Sequence, residues 1–382
     1  MTAVEELTTY RRALHQIPEL AMQEFQTHAY LLKQVRDWQA PFMTIREVPE
    51  LPTALFIYIE GTAPKRTIGY RADIDALPLD EATGLSFASQ HAGVMHACGH
   101  DVHMSLALGL VHYFAENQPS DNLVFFFQPA EEDKSGGKVA YDLGLFEGKW
   151  RPDEFYAVHD QPSLPAGTFS TRIGTLFAGT AELYISIQGV GGHAAYPNVT
   201  KDPIVVAAQL ISTLQTVVSR NVDPIKGGVV TIGSIHGGTR TNIIPEQVDL
   251  QGTIRSLTQS GLQTMIERVQ TIVAGVAAAF DVVIDLRVET GSYLPVENEA
   301  SLTQNWLDFF AKRPDIAFVP SEPAMTGEDF GYLLQQIPGT MLWLGVDDVN
   351  PLHSPHLNID EAALWPGFVG LRDFLIWRME QI

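Results

Sequence analysis

Apolar residues recur at helical spacing near the start of the chain. Leu7, Tyr10 and Leu14 mark a helix over 4–15, and Phe25, Leu31, Leu32 and Val35 mark a second over 24–38, with Ile17-Pro18-Glu19-Leu20 as the turn between them. Strand patterns then begin, first over 53–60 and next over 67–70, the latter running into Arg71-Ala72-Asp73-Ile74-Asp75. Leu106, Leu108, Leu110, Val111 and Phe114 predict a helix that starts near His100. The unbroken apolar run 123–127 predicts a strand over 122–128 buried on both faces, ending in Gln128-Pro129-Ala130-Glu131-Glu132-Asp133. A helix over 137–146 and a short strand over 155–158, closed by His159-Asp160, complete this part. Strand and helix alternate as in an α/β protein, and three strand ends carry ligating side chains.

The texture changes between Gly174 and Gly179. From there the pattern reads strand 182–188, helix 203–220, strands 229–235 and 247–254, helix 259–280 and strand 282–288. That order, βαββαβ, predicts a ferredoxin-like α+β unit with two helices on one sheet face. The first texture then returns, with a helix over 305–310, a polar turn over 324–330 that opens a helix, and a strand over 341–346. Asn350-Pro351-Leu352-His353-Ser354-Pro355-His356 leads into a closing helix from near Asp360 that buries Leu364, Phe368, Leu371, Phe374 and Leu375. The organisation expected is a discontinuous domain, 1–176 and 290–382, interrupted by an insert over 177–289.

Composition adds limits. A chain of 382 residues is long for one core, in keeping with two domains. No apolar run approaches the ~18 residues that would span a bilayer, and Glu5 and Glu6 interrupt any signal-peptide pattern, so no membrane association and a cytoplasmic location are expected. One cysteine forms no internal disulfide. A net charge of −21 excludes the basic footprint that nucleic-acid binding requires. It does not exclude a small anionic substrate held by one or two arginines.

The chemistry concentrates in Met95-His96-Ala97-Cys98-Gly99-His100-Asp101-Val102-His103. Thiolate and imidazole suit zinc and neighbouring transition metals, and Cys98 and His100, two apart across a glycine, can turn toward one centre. The bland alternative is a buried thiol beside surface histidines. Glu131 and Glu132 stand on a turn at a strand's carboxyl end, where one can hold metal and the other move protons; an exposed acidic turn is the plain alternative. Asp73 is either an active-site acid or a strand-end cap. Gly189-Val190-Gly191-Gly192-His193-Ala194-Ala195-Tyr196-Pro197 puts His193 on a loop, without the Lys-Ser/Thr pair of a phosphate cradle. A rival chemistry makes Cys98 a nucleophile activated by His96 or His100.

Taken together, Arg71-Ala72-Asp73-Ile74-Asp75-Ala76-Leu77-Pro78, His96-Ala97-Cys98-Gly99-His100-Asp101, Gln128-Pro129-Ala130-Glu131-Glu132, Gly191-Gly192-His193-Ala194-Ala195 and Gly327-Glu328-Asp329-Phe330 resemble the M20 family of metallopeptidases, nearest its amidohydrolase branch with hippurate and auxin-conjugate hydrolases. The resemblance implies a zinc-peptidase-like catalytic domain, a mixed sheet flanked by helices, and an inserted lid or dimerisation domain. It implies metal ligands at Cys98, His100, Glu132, His159 and His353, with His353 preferred to the nearby His356. Glu131 matches the family's general base and Asp73 its active-site aspartate, while His193, Asn242 and Arg255 match substrate-binding positions of the lid. Where many members of the wider family have His-x-Asp, this chain has Arg71-Ala72-Asp73, which leaves one or two divalent ions per subunit open, of Zn, Co, Mn or Ni. The activity implied is hydrolysis of an N-acylated amino acid by a homodimer. N-acetyl-L,L-2,6-diaminopimelate, on the way to lysine, is the narrower expectation. General N-acyl amino acids are the alternative, and a non-catalytic binding protein on the same scaffold the remote one.

Overall fold

Strands that lack polar alternation must be covered on both faces, and Leu55–Ile59, Thr67–Asp73, Asn122–Gln128, Glu154–Gln161 and Gly339–Gly345 are buried along nearly their whole length. In the computed structural model, which describes residues 2–38 and 40–381, they form the middle of an eight-stranded mixed sheet. Its order is Met43–Glu47, Leu55–Ile59, Asn122–Gln128, Thr67–Asp73, Glu154–Gln161, Gly339–Gly345, Phe169–Thr171 and Phe318–Pro320. The four central strands, from Asn122–Gln128 to Gly339–Gly345, run parallel, so their carboxyl ends emerge along one edge. Register sets Asp73 opposite Gln128 and His159 opposite Trp343 on that edge.

The helix His100–Glu116 is buried over its first twelve residues, which explains why its sequence shows an apolar run rather than a stripe. It packs against the helices Ala3–His15 and Leu364–Glu380 and the strand Thr67–Asp73. The expected helix over 137–146 is shorter, Gly136–Asp142, because the chain turns at Gly144 with φ +69°. Met43–Glu47, Phe169–Thr171 and Phe318–Pro320 are strands the sequence pattern did not predict.

The chain divides into two compact units. The first holds the residues up to Leu176, Val296–Glu322 and those from Tyr332 onward. The second holds Phe177–Pro295 and Pro323–Gly331, so residues 290–295 and 323–331 lie with the insert rather than with the flanking chain. Backbone bonds account for this: Thr180 donates to the Tyr293 carbonyl at 2.8 Å and Ala178 to that of Ala324 at 3.0 Å.

Within the second unit the sheet order is Val229–Gly237, Gln247–Ser256, Gly179–Gln188 and Val283–Glu289, antiparallel throughout. In chain order that is 2-3-1-4, the ferredoxin-like arrangement. Ala181, Leu183, Ile185 and Ile187 alternate inward against Val206, Leu210, Val269 and Val273 of the helices Pro203–Asn221 and Gln259–Phe280. A short separate ladder pairs Gly192–His193 with Ile243–Ile244.

Candidate metal centre

The carboxyl edge of the large sheet collects donors from five places in the chain. Cys98 and His100 flank Gly99, which has φ +81° and lies so close to Asp160 that a Cβ there would fall 1.9 Å from its Oδ2. Only glycine permits this bend, which begins the buried helix with His100. His159 leaves the end of Glu154–Gln161, and its Nε2 lies 3.5 Å from Cys98 Sγ. His353 also has a positive φ, +64°, and its N–H donates to the Ala97 carbonyl at 2.7 Å, which ties it beside Cys98. Its Nε2 is 3.5 Å from Glu132 Oε1. Among the described residues, donor atoms fall within 4.8 Å of one another in the sets Cys98–His100–His159, Cys98–Glu132–His353 and His100–Glu131–Glu132. All five expected ligands and Glu131 are therefore brought together, and Cys98 belongs to two of the sets.

The donors fit a divalent cation on a further ground. His100 Nδ1 lies 2.9 Å from the Asp75 carbonyl, which turns Nε2 the other way. Among the described residues, that Nε2 has no hydrogen-bond partner although it is buried, and Glu132 Oε1 faces it at 3.8 Å. Buried polar atoms rarely stand alone unless an ion or water completes them. Burial disfavours a charged His100, yet Asp73, Asp75 and Glu132 outweigh it and lift its pKa to about 10, so the local field favours a cation. Burial, and then the nearby His103, push His159 down to about 3, which leaves a neutral imidazole of the kind that ligates.

The same field weighs against a free thiolate nucleophile. Burial raises the Cys98 thiol well above its ordinary value, and Glu132, Glu131 and Asp73 add to the rise. His96 is buried, and neither of its ring nitrogens has a hydrogen-bond partner among the described residues.

Asp73 is fully buried, with Oδ2 2.7 Å from Arg71 Nη1 and 3.6 Å from His100 Nε2. Burial pushes its carboxyl up, but Arg71, His100 and His103 together hold it well below the usual carboxylate range. Arg71 thus serves as a counter-charge to Asp73; its Nε also donates to Gln128 Oε1 at 3.0 Å. The imidazole nearest Asp73 is one the sequence reading gave no role. His103 Nδ1 lies 2.5 Å from Asp73 Oδ1, and Asp160 N–H donates to its Nε2 at 3.1 Å. Both ring nitrogens are therefore engaged, Nδ1 with Asp73 and Nε2 with Asp160, and His103 is a brace. The spacing His100-x-x-His103 on one helix face was the available signal; the partner Asp160 is remote in sequence. His356 turns its Nδ1 to the Ala82 carbonyl at 3.1 Å and belongs to none of the donor sets, unlike His353.

The three remaining expected residues lie in the second unit. His193 and Asn242 are neighbours: His193 pairs with Ile243, and Ala194 donates to the Asn242 carbonyl at 3.1 Å. Arg255 is near the other end of Gln247–Ser256, half-buried, with Nη1 3.5 Å from the Met325 carbonyl. Gly327 lies against it; a Cβ there would stand 3.3 Å from Arg255 Nη1.

Comparison with known proteins shows the family and the fold. A family model described as peptidase family M20/M25/M40 matches residues 69–376. A protein of Leuconostoc mesenteroides named N-acetyldiaminopimelate deacetylase is 67% identical over 377 residues, which cover 99% of this chain and 98% of the relative. One of the same name from Limosilactobacillus reuteri is 52% identical over 100% of both chains. Among solved structures, the Bacillus subtilis YXEP protein, described as a dinuclear metal-binding peptidase from the M20 family, matches with a TM-score of 0.85 at 30% identity, covering 100% of this chain and 99% of that one. Aminopeptidase PepT from Bacillus cereus shares the fold, with a TM-score of 0.76 at 17% identity and 99% of each chain covered. The chain belongs to peptidase family M20/M25/M40.

Proposed function

We infer that this chain hydrolyses N-acetyl-L,L-2,6-diaminopimelate to acetate and L,L-diaminopimelate with the help of a divalent cation. The observation that carries the reading is 52–67% identity over nearly the full length of relatives named for that deacetylation. Cys98, His100, Glu132, His159 and His353 would hold the cation, as two ions if Cys98 serves both of its donor sets; of the candidates Zn, Co, Mn and Ni, sulfur favours zinc, imidazole zinc or nickel, and carboxylate manganese. When bound, such an ion lowers the pKa of water from 15.7 toward about 7 and polarises the acyl carbonyl.

Glu131 takes a proton from the attacking water as the C–O bond forms. It then delivers that proton to the amine nitrogen as the C–N bond breaks. Asp73, held between Arg71 and His103, keeps negative charge beside His100 without a mobile proton of its own. His193 donates to the developing oxyanion, and Arg255 pairs with a substrate carboxylate through its planar fork, with Asn242 as a second donor.

The two groups of second-unit residues are separated by most of the strand Gln247–Ser256, roughly 26 Å at about 3.3 Å per residue. That is too far for one small molecule to touch both. The separation supports a homodimer in which one protomer supplies Arg255 and its partner the edge that carries His193 and Asn242. The exposed apolar residues Val190, Val199, Val205 and Ile243 of the second unit suit such a surface. A cytoplasmic setting fits a single thiol kept reduced.

Initial rates on N-acetyl-L,L-diaminopimelate, other N-acetyl amino acids and hippurate, in one metal-supplemented assay, test the reading. The expected result is the highest kcat/KM for the first. A preference for hippurate would replace it with a broader N-acyl-amino-acid hydrolase.

A further inference from the structure

Glu24 stands at the start of the helix Phe25–Asp37, where a carboxylate ordinarily caps its own helix, yet its side chain makes no capping bond. Glu19 does that work instead: its Oε2 accepts from the N–H groups of Gln26 at 2.8 Å and Thr27 at 2.9 Å. The Glu24 side chain is fully buried and turns to the catalytic edge. Its Oε1 accepts from Ala130 N–H at 2.9 Å and from Met22 N–H at 3.0 Å. Both donors have left-handed backbones, φ +56° at Ala130 and +63° at Met22, and among the described residues only six non-glycine residues have positive φ. One carboxylate oxygen therefore holds two of the six.

Ala130 immediately precedes Glu131 and Glu132. On the far side of Glu131, the Glu132 N–H donates to Asp75 Oδ2 at 2.9 Å. Glu131 thus lies between two backbone N–H groups, each fixed by a buried carboxylate. A non-glycine residue keeps a left-handed backbone only where its surroundings over-determine it. Remove the clamp at Ala130, and the chain entering Glu131 relaxes toward right-handed or extended geometry.

We propose that Glu24 is a positioning residue for the deacylation: it locks Ala130 in the left-handed conformation that aims Glu131 at the attacking water. This rests on the role given to Glu131 above. The reach of the Glu24 oxygen, rather than its charge, is what the clamp requires. Burial, followed by the charge of Asp75, lifts the Glu24 carboxyl to about 7, so a neutral acceptor is no stranger to this site.

Three variants of the full chain separate reach from charge. Glu24→Asp keeps the charge but draws the oxygen back by one methylene. Glu24→Gln keeps the reach and a carbonyl acceptor. Glu24→Asp with Ala130→Gly supplies a residue that holds positive φ without help. For Glu24→Asp, kcat should fall between about tenfold and a hundredfold, the scale of a small misplacement of a reacting group, with KM and bound metal per chain unchanged. Glu24→Gln should stay within about threefold of the parent, and Ala130→Gly should restore several-fold of the rate lost in Glu24→Asp.

Hydrogen exchange at the Ala130 amide, which needs neither metal nor substrate, should be slow in the parent and in Glu24→Gln and fast in Glu24→Asp. The proposal is overturned if Glu24→Gln is as slow in turnover as Glu24→Asp, if Ala130→Gly restores nothing, if metal is lost along with rate, or if the Ala130 amide exchanges alike in all three proteins. A parent chain that leaves every N-acyl amino acid intact would count against the deacylase reading alone, and the exchange data would still decide whether the clamp exists.

Discussion

The second unit and the carboxyl edge of the large sheet are built by opposite rules. In the second unit, local preference and final structure agree. Asp202 and Thr258 cap their helices by accepting from Ile204 and Gly261, Pro203 fills a first-turn position, and alternate residues of Gly179–Gln188 face the core. Along the carboxyl edge, local preference is overruled. Ala130, Ser135 and His353 hold positive φ at about 1 to 3 kcal/mol each, and Arg71, Asp73, His100 and Asp101 are buried where apolar side chains would be more stable. Chains tolerate such violations where chemistry depends on them, so the contrast itself points to the site.

The sharpest way to break that contrast is to neutralise the proposed base. Glu131→Gln should lower kcat between about a hundredfold and ten-thousandfold, while elemental analysis finds the same metal per chain and Tm stays level or rises. A fall in Tm that tracks the loss of rate would make Glu131 a structural residue and remove the contrast.

The reverse experiment belongs to the second unit. Leu250 is buried in its core, and Leu250→Ala should cost about 2 to 5 kcal/mol in urea unfolding, with the metal content of the folded fraction unchanged. Equal loss of metal would mean that the two regions do not answer separately.

A smaller effect concerns how far the crowding of charge extends. His15 Nδ1 lies 2.9 Å from Asp101 Oδ2 and its Nε2 3.3 Å from Glu81 Oε1. Burial pushes the imidazole down, but Asp101 and then Glu81 win and raise it from 6.5 to about 9. Its charged form therefore stabilises the fold fully below pH 6.5, and that contribution is lost as pH rises through about 9. Over this window Tm should decline more steeply in the parent than in His15→Gln; parallel curves would show that the network adds nothing to stability.

Much of the fold could be read from the order of residues, because period and burial are local matters. The runs 123–127 and 67–70 announced strands covered on both faces, and the second unit's six elements followed from period alone. Phe169–Thr171 and Phe318–Pro320 are three residues each, too short for any period to register. The association of 323–331 with the second unit depends on distant backbone pairing. The site divides the same way. Its ligating types were visible as clusters, but Glu24 looked like an ordinary helix starter and His103 like a bystander, because their partners Ala130 and Asp160 are far along the chain.

The proposed donors are also spread unevenly along the chain. Four of them, Cys98 to His159, precede the second unit, and His353 follows it. A growing polypeptide on the ribosome therefore exposes an incomplete cage throughout synthesis of the insert, and gains its fifth donor only when the return segment has been translated and docked beside Ala97. Because a site assembled from distant segments exists only in the folded protein, firm retention of the ion becomes a late step of maturation, and a product cut short within the insert would leak its cation.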